Sequence, residues 1–322
     1  MRLRLVREKT SIDFFSKARL WLGISMVMMV VAFASFLIQG LNFGIDFQGG
    51  TSIRTQSEVA VDVGEYRAVL EPLELGDVSI TEVFDPNFAD DQNVAMVRIQ
   101  AQEGEESVTN DTITAVQDAL RGVSPNITFP SVESVGPKVS GELIQTAYIA
   151  VAMAVVAILI YIWLRFEWQF AVGAVLALTH DVILTIGVFS ELQIKFDLAI
   201  IAALLTIVGY SINDTVIVFD RVRENLRKYK KKPLKEVLNL SINETLARTL
   251  MTSLTTMLAL LALFVLGGDV IRGFVFAMMW GVIIGTYSSI FVASAVLLVL
   301  GVKRDWSKPG NTTGNQFANV DA

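Results

Sequence analysis

The sequence contains no cysteine and a single histidine, His180. No disulfide framework and no thiolate metal site can be built from it. One histidine leaves little for a zinc site or a Ser-His-Asp triad, and no nucleophile-base pair stands out, so an enzyme is not expected. Charged residues are also scarce, at 18% of the chain against 53% hydrophobic. A soluble globular chain is usually less apolar and does not keep its apolar residues in long unbroken runs.

Here the runs are long enough to cross a bilayer, which takes about 20 apolar residues as a helix. Six qualify: residues 20–39, 143–164, 168–190, 198–219, 249–268 and 273–301. The first carries no charge. His180 and Asp181 interrupt the third, Asp214 interrupts the fourth, and Arg248 stands at the edge of the fifth. The sixth is longer than needed and can tilt. Ala32-Phe33-Ala34 has the small-x-small look of a signal cleavage site, but the apolar run continues past it for a full span. An uncleaved anchor is therefore expected.

Orientation follows from the basic residues. With an N-terminal arm (1–19) in the cytoplasm, the inner segments are 1–19, 165–167, 220–248 and the tail 302–322. These hold 19 of the 26 lysines and arginines. The positive-inside rule then places both termini in the cytoplasm. The basic run 227–232 is the strongest marker, read as a topology determinant and a lipid-facing patch. The tail is polar and expected to be disordered.

The segment 42–140 has no membrane-length run and is large enough for one small domain. Residues 51–56 alternate like a strand. Residues 62–73 look helical, with Asp62 as N-cap and Pro72 near the end. Two strands follow at 78–85 and 93–100, joined by an Asp-Pro-Asn turn. Residues 109–120 have helical spacing, with Gly122 as a stop, and 126–135 reads as a last strand. The order β-α-β-β-α-β is ferredoxin-like. The predicted fold class is thus an integral membrane α-helical bundle of six helices with a ferredoxin-like α+β domain between the first and second. The domain holds 17 acidic against five basic residues, which argues against nucleic acid. That charge serves solubility, with a surface for unfolded basic or amphipathic chain as the weaker alternative. The double glycine, Gly49-Gly50, reads as the turn from helix to domain rather than a ligand site.

An ionisable residue inside a span costs about 2.5–3.5 kcal/mol on insertion scales and marks a functional hypothesis. Asp214 lies roughly 10 Å inside the cytoplasmic face, counting about 1.5 Å per residue from Arg221. A carboxylate at that depth is held protonated or paired with a cation. Either state suits a group that takes and releases a proton. Thr245, Arg248, Thr252 and Thr255 form one polar stripe. Arg248 sits at about the depth of Asp214, so it either pairs with Asp214 or snorkels to lipid headgroups. Asp181 is placed in a polar interior with Asp214, supported by Asn213 and Thr252. The two carboxylates differ in depth by on the order of 10 Å, so waters would have to connect them. His180, about 100° around the helix from Asp181, is expected to make a helix–helix hydrogen bond.

These motifs resemble the SecD/SecF family of protein-export membrane proteins. Phe43-Gly44-Ile45-Asp46-Phe47-Gln48-Gly49-Gly50-Thr51 is similar to the motif that opens the periplasmic domain in that family, which brings Gly44, Asp46, Gly49 and Gly50 into the candidate set. Val135-Gly136-Pro137 resembles the return to the membrane. Leu178-Thr179-His180-Asp181-Val182 looks like the third span of the SecF branch. Gly209-Tyr210-Ser211-Ile212-Asn213-Asp214-Thr215 and Val218-Phe219-Asp220-Arg221 resemble its fourth span. Asn243-Glu244-Thr245-Leu246-Ala247-Arg248-Thr249 and Thr252-Ser253-Leu254-Thr255-Thr256 resemble its fifth. The likeness covers nearly all of the chain.

The resemblance implies pairing with SecD as two six-helix halves related to resistance-nodulation-division transporters, in a bacterial inner membrane. It implies association with the SecYEG channel, YajC, YidC and the translocating preprotein, and no cofactor. It implies use of the proton motive force in late, periplasmic-side steps of export. The family's proton-relay carboxylate falls on Asp214 and its membrane arginine on Arg248. The alternatives are a half-transporter for a lipid or small molecule and a non-transporting scaffold of the translocon.

Overall fold

The computed structural model describes residues 10–76, 78–83, 88, 92–100, 108–124, 126–267 and 269–302, with backbone only at 45, 137, 138, 269 and 270. The chain begins with the long helix α1 (Ala18–Gln39) and a single turn, α2 (Ile45–Gln48). The domain between the first two spans, termed the outer domain after the orientation that the charge pattern predicts, follows as β1 (Gly50–Ser57), α3 (Val63–Leu70), β2 (Val78–Val83), β3 (Asn93–Ile99), α4 (Asn110–Val123) and β4 (Thr128–Val135). Four long helices come next: α5 (Pro137–Arg165), α6 (Trp168–Glu191), α7 (Leu198–Lys228) and α8 (Leu234–Leu266). The last span is α9 (Asp269–Ser288), a π-helical turn (Ser289–Ala293) and α10 (Ser294–Leu300). Among the described residues, six helical segments are long and apolar enough to cross a membrane.

The outer domain is the ferredoxin-like arrangement that the sequence order implies. Its sheet runs β2-β3-β1-β4, antiparallel throughout. Tyr66 and Leu70 of α3 and Val116 and Leu120 of α4 bury against Ile53, Val97 and Ile99. Asp62 caps α3 as expected, accepting from the amides of Gly64 at 2.7 Å and Glu65 at 3.2 Å. Gly122, however, is not a stop, because α4 runs through it to Val123. The chain leaves the helix at Ser124, whose hydroxyl lies 2.8 Å from that of Ser57 at the end of β1. That tertiary bond overrides the local glycine signal. The predicted Asp-Pro-Asn turn and the C-terminal tail lie outside the described residues.

Two helices outrun their predicted spans. The sequence places the fourth and fifth spans at 198–219 and 249–268, yet α7 continues to Lys228 and α8 already starts at Leu234. The extensions form a hairpin. Val222 and Leu226 pack with Val237 and Leu238. Arg221 bridges Glu244 at 2.7 Å and Glu224 at 2.6 Å, and Asn225 donates to Ser241 and Glu244. Charge alone marked 220–248 as a connecting segment, although its apolar residues keep helical spacing.

The N-terminal arm lies against this hairpin. Asn239 and Asn243, one turn apart on α8, bind its backbone. The amides of Ile12 and Phe14 donate to Asn243 and Asn239, each at 2.9 Å, and Asn243 returns a bond to the Ile12 carbonyl at 2.8 Å. Phe14 and Phe15 anchor the arm in the membrane-domain core. The core itself lies among α6, α7 and α9, whereas α5 and α8 turn most of their apolar surface outward.

Candidate functional site

Small residues bring the central helices into close contact. Gly281 of α9 faces Ile207 of α7, and a Cβ on Gly285 would stand 3.0 Å from the Ser211 Cβ. On the other side, a Cβ on Gly173 of α6 would lie 3.1 Å from the carbonyl oxygen of Ala293 in the π turn. Close approach of this kind lets short polar side chains bond across helices.

The polar groups centre on Asp181, which is fully buried. Its Oδ2 accepts from Ser211 of α7 at 2.6 Å and from Ser288 of α9 at 2.8 Å. Its Oδ1 lies 3.0 Å from His180 Nδ1. The expected helix–helix hydrogen bond of His180 is not found among the described residues. Its bonded partner is the adjacent residue, and its cross-helix contact is a stack on Tyr287 with centroids 6.0 Å apart. Neighbouring side chains 100° apart meet here because both bend into the same crowded interior. Tyr287 donates in turn to the Trp21 carbonyl and lies 2.9 Å from Ser25, tying α1 to the cluster.

Toward the cytoplasmic side as predicted from charge, Thr215 of α7 shares a 2.9 Å hydrogen bond with Ser289. Ser288 and Ser289 are consecutive, yet one serves Asp181 and the other Thr215. The π turn begins at this point, where an α-helix would send its backbone onward without the extra width. Such turns recur at functional sites.

Asp214 lies on α7 between Ser211 and Thr215, fully buried. Neither carboxylate oxygen has a hydrogen-bond partner among the described residues. Ser211, three residues before Asp214 on α7, bonds Asp181 directly. Arg248 is exposed on α8 and forms no ion pair among the described residues. The chain by itself therefore does not bring Asp214 and Arg248 together. Asn213 is exposed, and Thr252 turns its hydroxyl to the Thr249 carbonyl of its own helix at 2.9 Å. Thr245, Thr249 and Thr255 likewise bond back along α8, so the threonine stripe is self-satisfied.

Ser288, Ser289 and Tyr287 lie outside the motifs that the sequence singles out. Ser211 and Asp214 share one sequence motif, but nothing local shows that α9 brings a serine pair to face it.

The double-glycine segment sits at the other end of α7. Gly49 and Gly50 have φ of 74° and 115°, conformations that glycine reaches without strain, and they turn α2 into β1. Gly44 donates to the Phe196 carbonyl at 2.8 Å, and Asp46 accepts from the Leu198 amide at 3.1 Å.

The model of the protein export membrane protein SecD/SecF C-terminal family matches residues 115–303, and the SecD/SecF GG motif matches residues 34–61. Protein translocase subunit SecF of Cereibacter sphaeroides is 62% identical over 321 residues, covering 100% of this chain and 99% of that protein. The Rhodobacter capsulatus protein of the same name is 58% identical, covering 95% and 94%. The crystal structure of SecDF, a translocon-associated membrane protein from Thermus thermophilus, superposes with a TM-score of 0.82 at 35% identity. That match covers 93% of this chain and 40% of the SecDF chain. With the two motifs, the six spans and the intervening ferredoxin-like domain in agreement, the chain belongs to the SecD/SecF family of protein-export membrane proteins.

Proposed function

We propose that this chain is one half of a SecD–SecF unit that uses the proton motive force to promote late, outer-side steps of protein export through SecYEG, with Asp214 as its proton carrier. The observation that carries this reading is the isolation of Asp214. A buried carboxylate with no partner responds to its surroundings by taking a proton or a cation. One proton moving through 100 mV supplies about 2.3 kcal/mol. That shifts a two-state equilibrium by roughly fiftyfold. The Asp181 cluster beside it is the element that such a change biases.

The cation is supplied within the assembled unit. Thr206, Gly209 and Asn213 on α7 and Arg248 and Thr255 on α8 are exposed polar or small residues on otherwise apolar helices. A six-helix partner, SecD, covers this strip and brings Arg248 into the circuit of Asp214. YajC and YidC are further partners in this reading, both termini face the cytoplasm, and the unit is no enzyme in its own right.

The test is gradient-stimulated export into inverted membrane vesicles. Wild type is compared with Asp214→Asn at equal chain level and equal SecD association. Loss of the stimulated late step with assembly intact is expected. Unchanged export would leave Asp214 a structural group and move a scaffold role to first place.

A further inference from the structure

The first turn of α7 is capped twice. Asp197 accepts from the Ile200 amide at 3.3 Å, as an ordinary N-cap does. Asp46 accepts from the Leu198 amide at 3.1 Å, and Asp46 belongs to the stem of the outer domain. Around it the chain segments lock. Gly44 donates to the Phe196 carbonyl, Phe196 donates to the Asn42 carbonyl at 2.7 Å, and Phe43 and Phe196 form a parallel bridge. Phe47 and Phe189 pack on Phe196 with centroids 6.0 Å away. A Cβ on Gly44 would stand 2.9 Å from the Lys195 Cε and 3.2 Å from the Asp197 Cβ, so the two segments approach closely at this glycine.

The sheet of the outer domain lies against the same stem, through β1 and β4 beside α2. Arg98 of β3 is paired in register with Ser52 and Ser79. Its Nε is buried without a hydrogen-bond partner among the described residues. Burial pulls this guanidinium below its usual range, and the carboxylates of Asp197 and Asp46 push it back up. Two acidic groups at a helix N-terminus are favoured by the helix dipole and balanced here by Arg98 and by Lys195, 3.7 Å from Asp197.

We propose that Asp46, together with Asp197 and the Gly44–Phe196 backbone lock, forms a clamp that fixes the stem of the outer domain to the first turn of α7, so that a displacement of α7 at Asp214 moves the domain with it. The purpose of the clamp rests on the relay reading above; its geometry does not. Asp214 lies 16 residues from Leu198 on one continuous helix, about 24 Å along its axis. Asp46 is a positioning residue that touches neither proton nor exported chain.

The absence of native cysteine allows spin labels at Glu82→Cys on β2 and Ala199→Cys on α7, both exposed, in the complex with a cysteine-free SecD. The labelled parent should give one narrow distance distribution. Asp46→Ala should lose it. Asp46→Asn, which keeps a carbonyl oxygen for the Leu198 amide but no charge, should fall between. Gradient-stimulated export should drop at least fivefold in Asp46→Ala, the low end of a real coupling. Proton uptake dependent on Asp214 should stay within about twofold of wild type, on the reasoning that a distant site adds independently. Retained SecD in each purified variant shows that it has folded. A narrow distribution in Asp46→Ala overturns the clamp, and a lost distribution with normal export overturns its role in coupling. Normal export by Asp214→Asn would sink the relay reading instead, while the distances still decide the clamp.

Discussion

Two buried aspartates on neighbouring helices have opposite surroundings. Asp181 accepts from two serines and contacts His180; Asp214 has no hydrogen-bond partner among the described residues. The difference assigns them different work. Asp181 is a fixed hub that joins α6, α7 and α9, and its donors hold the helices in register. Hydrogen bonds between membrane helices are worth about 0.6 kcal/mol on average and up to about 1.7. Ser211→Ala and Ser288→Ala should each destabilise the detergent-solubilised protein within that range. The double variant should cost more than either, since Asp181 then keeps only His180. Unfolding midpoints in a denaturing-detergent titration measure this. Single variants with wild-type midpoints would show that the serines contribute nothing to helix association.

At the scale of elements, the α7–α8 hairpin and the arm it binds form a second structured layer. The arm is held through its backbone by two asparagines, whose amide groups both donate and accept. Each such bond contributes about 1 kcal/mol. Asn239→Ala with Asn243→Ala should therefore raise amide exchange at Ile12 and Phe14 by tenfold or more, with little effect on the outer domain. Asp13 adds a pH dependence. Hydrogen bonding from Asn239 holds its carboxyl below the ordinary value of 3.8. Its contribution to docking is complete above that value and is lost as pH falls through the lower folded one. Exchange at Phe14 should accelerate below pH 3.8 in wild type and show no such step in Asp13→Asn. In the outer domain, Asp62→Ala removes the cap of α3 and should lower stability by about 1 kcal/mol. Thermal unfolding would register this, and an unchanged midpoint would mean that α3 is held by its packing alone.

For the whole molecule, the telling feature is a polar strip left on an apolar exterior. Gly209 is exposed, and a Cβ there would meet nothing within 4 Å. Gly209→Leu should thus leave the fold of this chain intact while filling the space a facing helix needs. Co-purification with SecD should fall by roughly tenfold, equivalent to about 1.4 kcal/mol. Unaltered pairing would place the SecD interface on another face.

The sequence by itself determined the six spans, the order of strands and helices in the outer domain, the cap at Asp62 and the burial of Asp181 and Asp214. Each of these is local. A bilayer selects apolar length, a cap is set within three residues, and a carboxylate in an apolar run has nowhere else to be. The tertiary structure decided what those groups meet. Gly122 yields to Ser124 because Ser57 holds the hydroxyl across the domain. His180 turns to its own neighbour because Tyr287 occupies the space across the helix interface. Ser288 reaches Asp181 and Ser289 reaches Thr215 because Gly285 admits α7 closely and a π turn separates their directions. Asp46 caps α7 from a segment some 150 residues earlier in the chain. No local pattern encodes such meetings, because partner choice between distant helices is made by shape and by the cost of leaving a buried polar group alone.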